Sequence, residues 1–250
     1  MRQQPQARLA VALAVVFNLT VLGSWSTAAC ALTISPVVVE LTPGRRIISI
    51  TVSNPGDQPV TFQTQTLAWE GVEGLDSYTE TSDLLVVPPI ATIAAGGTQV
   101  FRVTSRAPQS PQERAYRLIL EDVTEMADAS PATANSPITI RINHNLPVFI
   151  SAPGKPEPLL RLGPCQSTPP ALGRRTCVQL DNDGNRYASI NSMTVDGAEL
   201  HLALQGSSRV LAGAWRQWVF DLPPHFAGTL KAKAETSAGP VSFEWQAPGR

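Results

Sequence analysis

The 250 residues carry 19 lysines and arginines against 20 aspartates and glutamates, with 43% of positions hydrophobic. The near balance of charge removes any general electrostatic pull toward nucleic acid or an anionic membrane surface, and the length suffices for one large domain or two ordinary ones, each with an apolar core. The 22 prolines and 17 glycines are scattered rather than clustered, which favours many short strands joined by turns over a helical chain.

Residues 1–31 read as a cleaved signal peptide. Arg2 and Arg8 give a basic start, "LAVALAVVFNLTVLG" from Leu9 to Gly23 is almost wholly apolar, and "STAACA" supplies small residues for cleavage. The apolar run falls short of the roughly 20 residues that a spanning helix needs, which sets a retained anchor below export. Cleavage after Ala31 removes Cys30 and leaves Cys165 and Cys177, 12 positions apart around "QSTPPALGRRT". In an oxidising compartment the expected outcome is a disulfide closing that loop, stabilising by roughly 2 to 3 kcal/mol. The competing reading makes Cys30 the first residue of a lipoprotein, but Thr27 stands where a lipobox usually has Leu.

From Leu32 onward the chain alternates repeatedly and has no long helical stripe. "LTISPVVVELTP" opens with one or two strands, and "RRIISITVSNPGD" alternates Ile48, Ile50 and Val52 before a turn at Asn54 to Asp57. "VTFQTQTLAWE", the strand from Thr98 to Thr104 after a Pro-Pro break and a Gly-Gly turn, and "RAYRLILEDV" continue the pattern. A sandwich of short antiparallel strands accounts for all of these.

"TEMADASPATANSP" is small, polar and without period, as in a mobile loop or a segment that orders on binding. After it, "SPITIRINHNLPVFIS" (136–151) places Ile138, Ile140 and Ile142 on one face of an extended strand. Alternation alone favours a core-facing strand over one shown to a partner. The proline-rich "APGKPEP" marks a linker, taken as 153–158, dividing an N-terminal domain (32–152) from a C-terminal β-sandwich domain (159–250). In the latter, "DNDG" (Asp181 to Gly184) reads as a turn rather than a calcium loop, because no glutamate closes it at the required spacing.

A search for catalytic chemistry finds little. His144, His201 and His225 have no metal-ligand spacing, no serine sits in a nucleophile elbow, and no glycine-rich loop leads from a strand into a helix. No enzymatic activity, metal or cofactor is expected, although an exported hydrolase built on dispersed carboxylates would leave no local signature.

The chain resembles the periplasmic chaperones of the chaperone-usher pathway that assembles pili in Gram-negative bacteria. The resemblance is carried by "LTISPVVVELTP" with "ITVSNPGDQPVTFQTQTLAWE", by "LLVVPPIATIAAGGTQVFRVTSR", by "AYRLILEDV" and by "INHNLPVFISAP". It implies two immunoglobulin-like β-sandwich domains in a boomerang arrangement with a cleft between them, and a periplasmic location. The implied partners are pilin subunits and an outer-membrane usher, with no nucleic acid and no small-molecule substrate. Pilins lack a final strand, and the chaperone lends one to the gap by strand addition. On this resemblance Ile138, Ile140 and Ile142 would fill the client's pockets, contributing roughly 1.5 to 3 kcal/mol each. A free chaperone could protect the same apolar edge by self-capping or dimerising. The rival reading is a secreted β-sandwich adhesin or binding module.

In the best-studied branch of this family an arginine near the first strand and a lysine near the end of the donor strand grip the client's terminal carboxylate. Alignment by eye puts Val38 and Val148 at those positions, so this chain resembles a divergent branch without the usual grip. A buried carboxylate still needs a cation. Arg102, Arg117 and Arg141, all within alternating segments, are the candidate anchors.

Overall fold

The computed structural model describes residues 32–125, 141–166, 175–195, 198–199, 208–221 and 228–246. Among them every regular element is a strand. The first ten are β1 (Thr33–Ser35), β2 (Val39–Leu41), β3 (Ile47–Ser53), β4 (Val60–Val72), β5 (Leu75–Glu80), β6 (Leu84–Val87), β7 (Ile90–Ile93), β8 (Thr98–Ser105), β9 (Arg114–Asp122) and β10 (His144–Ile150). They make two facing sheets, β1-β3-β8-β6 and β2-β10-β9-β4-β5, with β7 also paired to β4.

The alternation seen in sequence decides which side chains enter this sandwich. Ile48, Ile50 and Val52 of β3, Phe101 and Val103 of β8, and Tyr116, Leu118 and Leu120 of β9 are all buried in one cluster with Phe62, Val39 and Leu41. Between them Ser49, Arg102 and Glu121 stay exposed, as the period of two requires. Strand β10 closes the second sheet, antiparallel to β9 along its whole length and parallel to β2 only at Val148, Phe149 and Ile150. Its first half therefore keeps one edge open, and Pro147, which has no backbone N–H to donate, sits on that strand.

No strand lies between Ile150 and Leu160. Beyond that stretch come β11 (Leu160–Pro164), β12 (Arg175–Asn182), β13 (Ala188–Val195), β14 (Ala198–Glu199), β15 (Arg209–Val210), β16 (Trp215–Asp221), β17 (Thr229–Thr236) and β18 (Gly239–Gln246). One sheet is β11-β12-β16; the other is β14-β13-β17-β18 with β15 on β13. Val178, Leu180, Ile190, Met193, Trp218, Leu230, Ala232 and Ala234 form the separate core of this second sandwich. Cys165 and Cys177 are joined as a disulfide, with their Cα atoms 5.4 Å apart.

The two sandwiches share one turn device. In the first, the Nδ2 group of buried Asn54 donates to the carbonyls of Gln58, Ile93 and Ala94, and its Oδ1 accepts from Gly56 N–H. In the second, Asn182 donates to Arg186, Val210 and Leu211 and accepts from Gly184 N–H. "SNPGD" and "DNDGN" thus each use one amide to satisfy backbone groups of its own turn and of a second chain segment. That is the turn expected of "DNDG".

Candidate functional site: an aromatic and arginine-lined cleft

Two large aromatic side chains break the alternation of the first sandwich. In β4, Phe62 and Ala68 face the core, so Trp69 must point the other way, yet it is only 2% exposed. In β10, Leu146 and Val148 face the core, so Phe149 must point outward, yet it is fully buried. Both are covered by the second sandwich, in a cluster with Leu211, Tyr187 and Ala214, and with Val38 and Ala115 from their own side.

Strand register orders this outer face. Tyr78 pairs with Trp69, Trp69 with Ala115, Ala115 with Phe149, and Phe149 with Glu40, so these five lie in one row across the sheet. The small Ala115 leaves room above the row, and the Tyr187 ring stacks on Phe149 at 3.9 Å with an interplanar angle of 15°. Trp69 lies 6.3 Å from Tyr78 and 6.0 Å from Phe149, which makes a continuous run of four rings. The next row holds Leu67, Arg117 and Pro147.

Arg117 lays its guanidinium over Trp69, with Cζ 3.7 Å from the ring centre, and 5.9 Å from that of Tyr78. From the second sandwich, Arg209 stands 6.0 Å from the Phe149 ring and 5.8 Å from that of Tyr187. Burial pulls the Arg117 pKa below its ordinary value; contact with Tyr78 opposes this and the charge of Arg209 adds to it. The Nε atom of Arg117 is buried and has no hydrogen-bond acceptor among the described residues. Arg117 is therefore a partly desolvated cation held against aromatic faces.

Polar contacts hold the two sandwiches around these rings. Asp76 accepts from the Trp69 indole at 2.7 Å and pairs with Arg216, whose Nε donates to the Arg209 carbonyl. Glu40 pairs with Arg186 at 3.0 Å and accepts from the Tyr187 hydroxyl at 3.2 Å. Glu113 accepts from Tyr187 N–H at 2.9 Å, and burial raises its pKa to about 7. A cavity of about 540 Å³, lined by Trp69, Gly71, Glu113, Ala115, Leu211 and Ala214, opens beside them. Among the described residues no group of His, Cys, Asp and Glu is arranged to hold a metal.

The three arginines singled out from sequence fall in different places. Arg117 stands one row from the aromatic run, with its guanidinium over Trp69. Arg102 is exposed on β8 in the opposite sheet, beside Ser49 and Val87. Arg141 is exposed ahead of β10 and donates to the Thr124 carbonyl. Ile142, also ahead of β10, is 60% exposed. Ile138 and Ile140 lie outside the described residues, as do residues 1–31, most of the polar stretch before them, His201 and His225. His144 packs edge-on against Phe62, and burial lowers its pKa. Val38 borders the cleft, but Val148 is in the core, and its neighbours Pro147 and Phe149 occupy the outer face. Arg209 joins the cleft without any signal in its local sequence. Phe149 and Trp69 do carry one, as aromatic residues out of phase with their strands.

Comparison with known families gives a match over residues 31–155 to the family model described as pili and flagellar-assembly chaperone, PapD N-terminal domain. The chain belongs to this family. Among solved structures it is similar to the CsuC-CsuE chaperone-tip adhesion subunit pre-assembly complex of Acinetobacter baumannii, at 18% identity and a TM-score of 0.64, covering 86% of this chain and 97% of the other. It is also similar to the Salmonella enterica SafA pilin complex with the SafB chaperone (17%, TM-score 0.59, 89% and 99% covered) and to the E. coli chaperone DraB (17%, TM-score 0.56, 87% and 99%). At these identities the likeness is one of fold: the all-β, two-sandwich architecture is that of the family's chaperones. Comparison with curated proteins gave no match.

Proposed function

We propose that this protein is a periplasmic chaperone that binds pilin subunits by donating the segment leading into β10, and delivers them to an outer-membrane usher. The observation that carries the reading is the half-open edge of β10: β2 covers it only from Val148 onward, leaving backbone groups ahead of that point able to pair with another chain. Ile138, Ile140 and Ile142 precede that edge with period two, and Ile142 is exposed with no core to enter. Membership of the chaperone family and likeness to chaperone-subunit complexes support the assignment over a secreted adhesin. The role is binding rather than catalysis, and the first 31 residues are read as the signal that exports the chain to the periplasm.

Arg117 is the anchor for the client's terminal carboxylate. It stands one row from Trp69 on the outer face and directly beside Pro147 of the donor-bearing strand. Arg102 and Arg141 have no comparable desolvation. Co-expression with a pilin gene from the same bacterium should yield a soluble one-to-one complex. Placing a charge in an apolar pocket with Ile140→Asp should abolish it, while Arg102→Ala should leave it intact. Full recovery of the complex with Ile140→Asp would remove the donor-strand assignment.

A further inference from the structure

Strand β18 ends its sheet: β17 pairs with one of its edges, and among the described residues no strand pairs with the other. The turn at Ser237 and Ala238 sets Thr236 opposite Gly239, so the ladder to β17 takes the backbone groups of Gly239, Val241, Phe243 and Trp245. Those of Ser242, Glu244 and Gln246, and the carbonyl of Pro240, point away from β17 to the open edge. The inner face is incomplete there as well. Ala234, Ala232 and Leu230 of β17 are buried, whereas their β18 partners Val241, Phe243 and Trp245 stay partly exposed, with the two rings stacked at 5.9 Å. Within β18 no lysine, bulge or inward charge blunts the edge, and Pro240 lies only at its beginning.

We infer that β18 pairs antiparallel with β18 of a second copy of this chain, about a two-fold axis at Phe243. This register sets Ser242 of each copy opposite Glu244 of the other, and Pro240 opposite Gln246, so the outward backbone groups meet as hydrogen-bonded pairs. Among them only Pro240 has no N–H to donate. On the inner face Phe243 meets Phe243 and Val241 meets Trp245, which are aromatic and β-branched cross-strand pairs of the kind that stabilise sheets. The outer face supplies charge complementarity. Lys233 stands beside Ser242, and Lys231 beside Glu244, which it contacts at 2.7 Å, so each row across the seam reads Lys233, Ser242, Glu244, Lys231. The short serine lets Lys233 of one copy reach Glu244 of the other. An axis at Glu244 would set two carboxylates face to face, and one at Ser242 would set Glu244 against the Pro240 nitrogen. The pairing does not use β10, and it is independent of the donor-segment reading. One strand per copy buries less than the roughly 1,200 Å² of a standard interface, so the dimer is weak and concentration-dependent.

Sedimentation equilibrium of the purified protein, over a hundredfold range of concentration reaching about 1 mM, should show monomers in exchange with dimers. Ser242→Pro removes an N–H that faces away from β17, so the strand still folds, but its ring stands where the second backbone would lie. The dissociation constant should rise at least tenfold while the thermal transition stays in place. Glu244→Lys gathers like charges along both rows of the seam and should weaken the dimer by a similar factor, more so at low salt, which keeps the test available if Ser242→Pro unfolds. A dimer that both variants leave intact would overturn the pairing, and its loss in Ile140→Asp would move self-association to the donor segment. A protein monomeric throughout, in which Ser242→Pro instead weakens a co-expressed pilin complex, would overturn it in favour of a client at this edge.

Discussion

Glu113 is a carboxyl group held where charge is costly. It is 8% exposed, and its neighbours are Arg186, which favours ionisation, Glu40, which opposes it, and Tyr187 N–H, which donates to it. Burial dominates and raises the pKa from 4.5 to about 7. The folded state therefore holds its proton more tightly than the unfolded chain does. The stability that this confers is complete below pH 4.5 and is lost as pH rises to about 7. A tenfold change in proton affinity is worth about 1.4 kcal/mol, so the full window amounts to about 3 kcal/mol. Glu113→Gln keeps an acceptor for Tyr187 N–H and removes the titration. Urea unfolding at pH 5 and pH 8 should show the wild type losing stability relative to this variant by most of that amount, about 2.5 kcal/mol. Parallel behaviour of the two proteins would mean that Glu113 is solvated in solution.

At the scale of elements, the strands differ in how openly the sequence declares them. Strands β3, β9 and β17 follow period two because one face is buried and the other wet, so Ile48, Ile50 and Val52, or Leu230, Ala232 and Ala234, announce their own direction. The run Leu146, Pro147, Val148, Phe149 is buried at all four positions, because the first core covers one face and the second sandwich the other. Such a strand has no polar phase to read, which is why alignment by eye puts Val148 in the cleft when Phe149 is the residue there. The Cys165–Cys177 pairing is legible for a different reason: two cysteines in a chain whose N-terminus reads as an export signal have few other fates. Cys177 is 5% exposed on β12, paired with Val219, and its backbone carbonyl accepts from Cys165 N–H. Replacing both cysteines with alanine should cost about 3 kcal/mol through loop-closure entropy in the unfolded chain. Calorimetry should assign the loss to the second sandwich. A melting temperature unchanged for that sandwich would show that the loop is constrained without the bond.

Over the whole molecule, the cleft cannot be read locally, because its partners are far apart in sequence. Asp76 and Arg216 are 140 residues apart, and neither lies in a motif. What brings them together is that Asp76 shares the outer face of the sheet with Gly71 and Trp69, where a Cβ added to Gly71 would meet Ala214 Cβ at 2.8 Å. The close approach leaves little water: the side chains of Asp76 and Arg216 are 16% and 8% exposed. Two ions taken this far out of solvent tolerate each other's presence but not each other's absence. Asp76→Ala should therefore destabilise the protein by about 3 kcal/mol, since it strands the Arg216 guanidinium and removes the acceptor of the Trp69 indole. Adding Arg216→Met should recover part of the loss, because no buried charge then remains and the new side chain can pack on Ala214 and Leu211. Denaturant unfolding of the two single variants and the double variant measures the coupling. Strictly additive losses would mean that the pair is hydrated in solution and contributes nothing to joining the sandwiches.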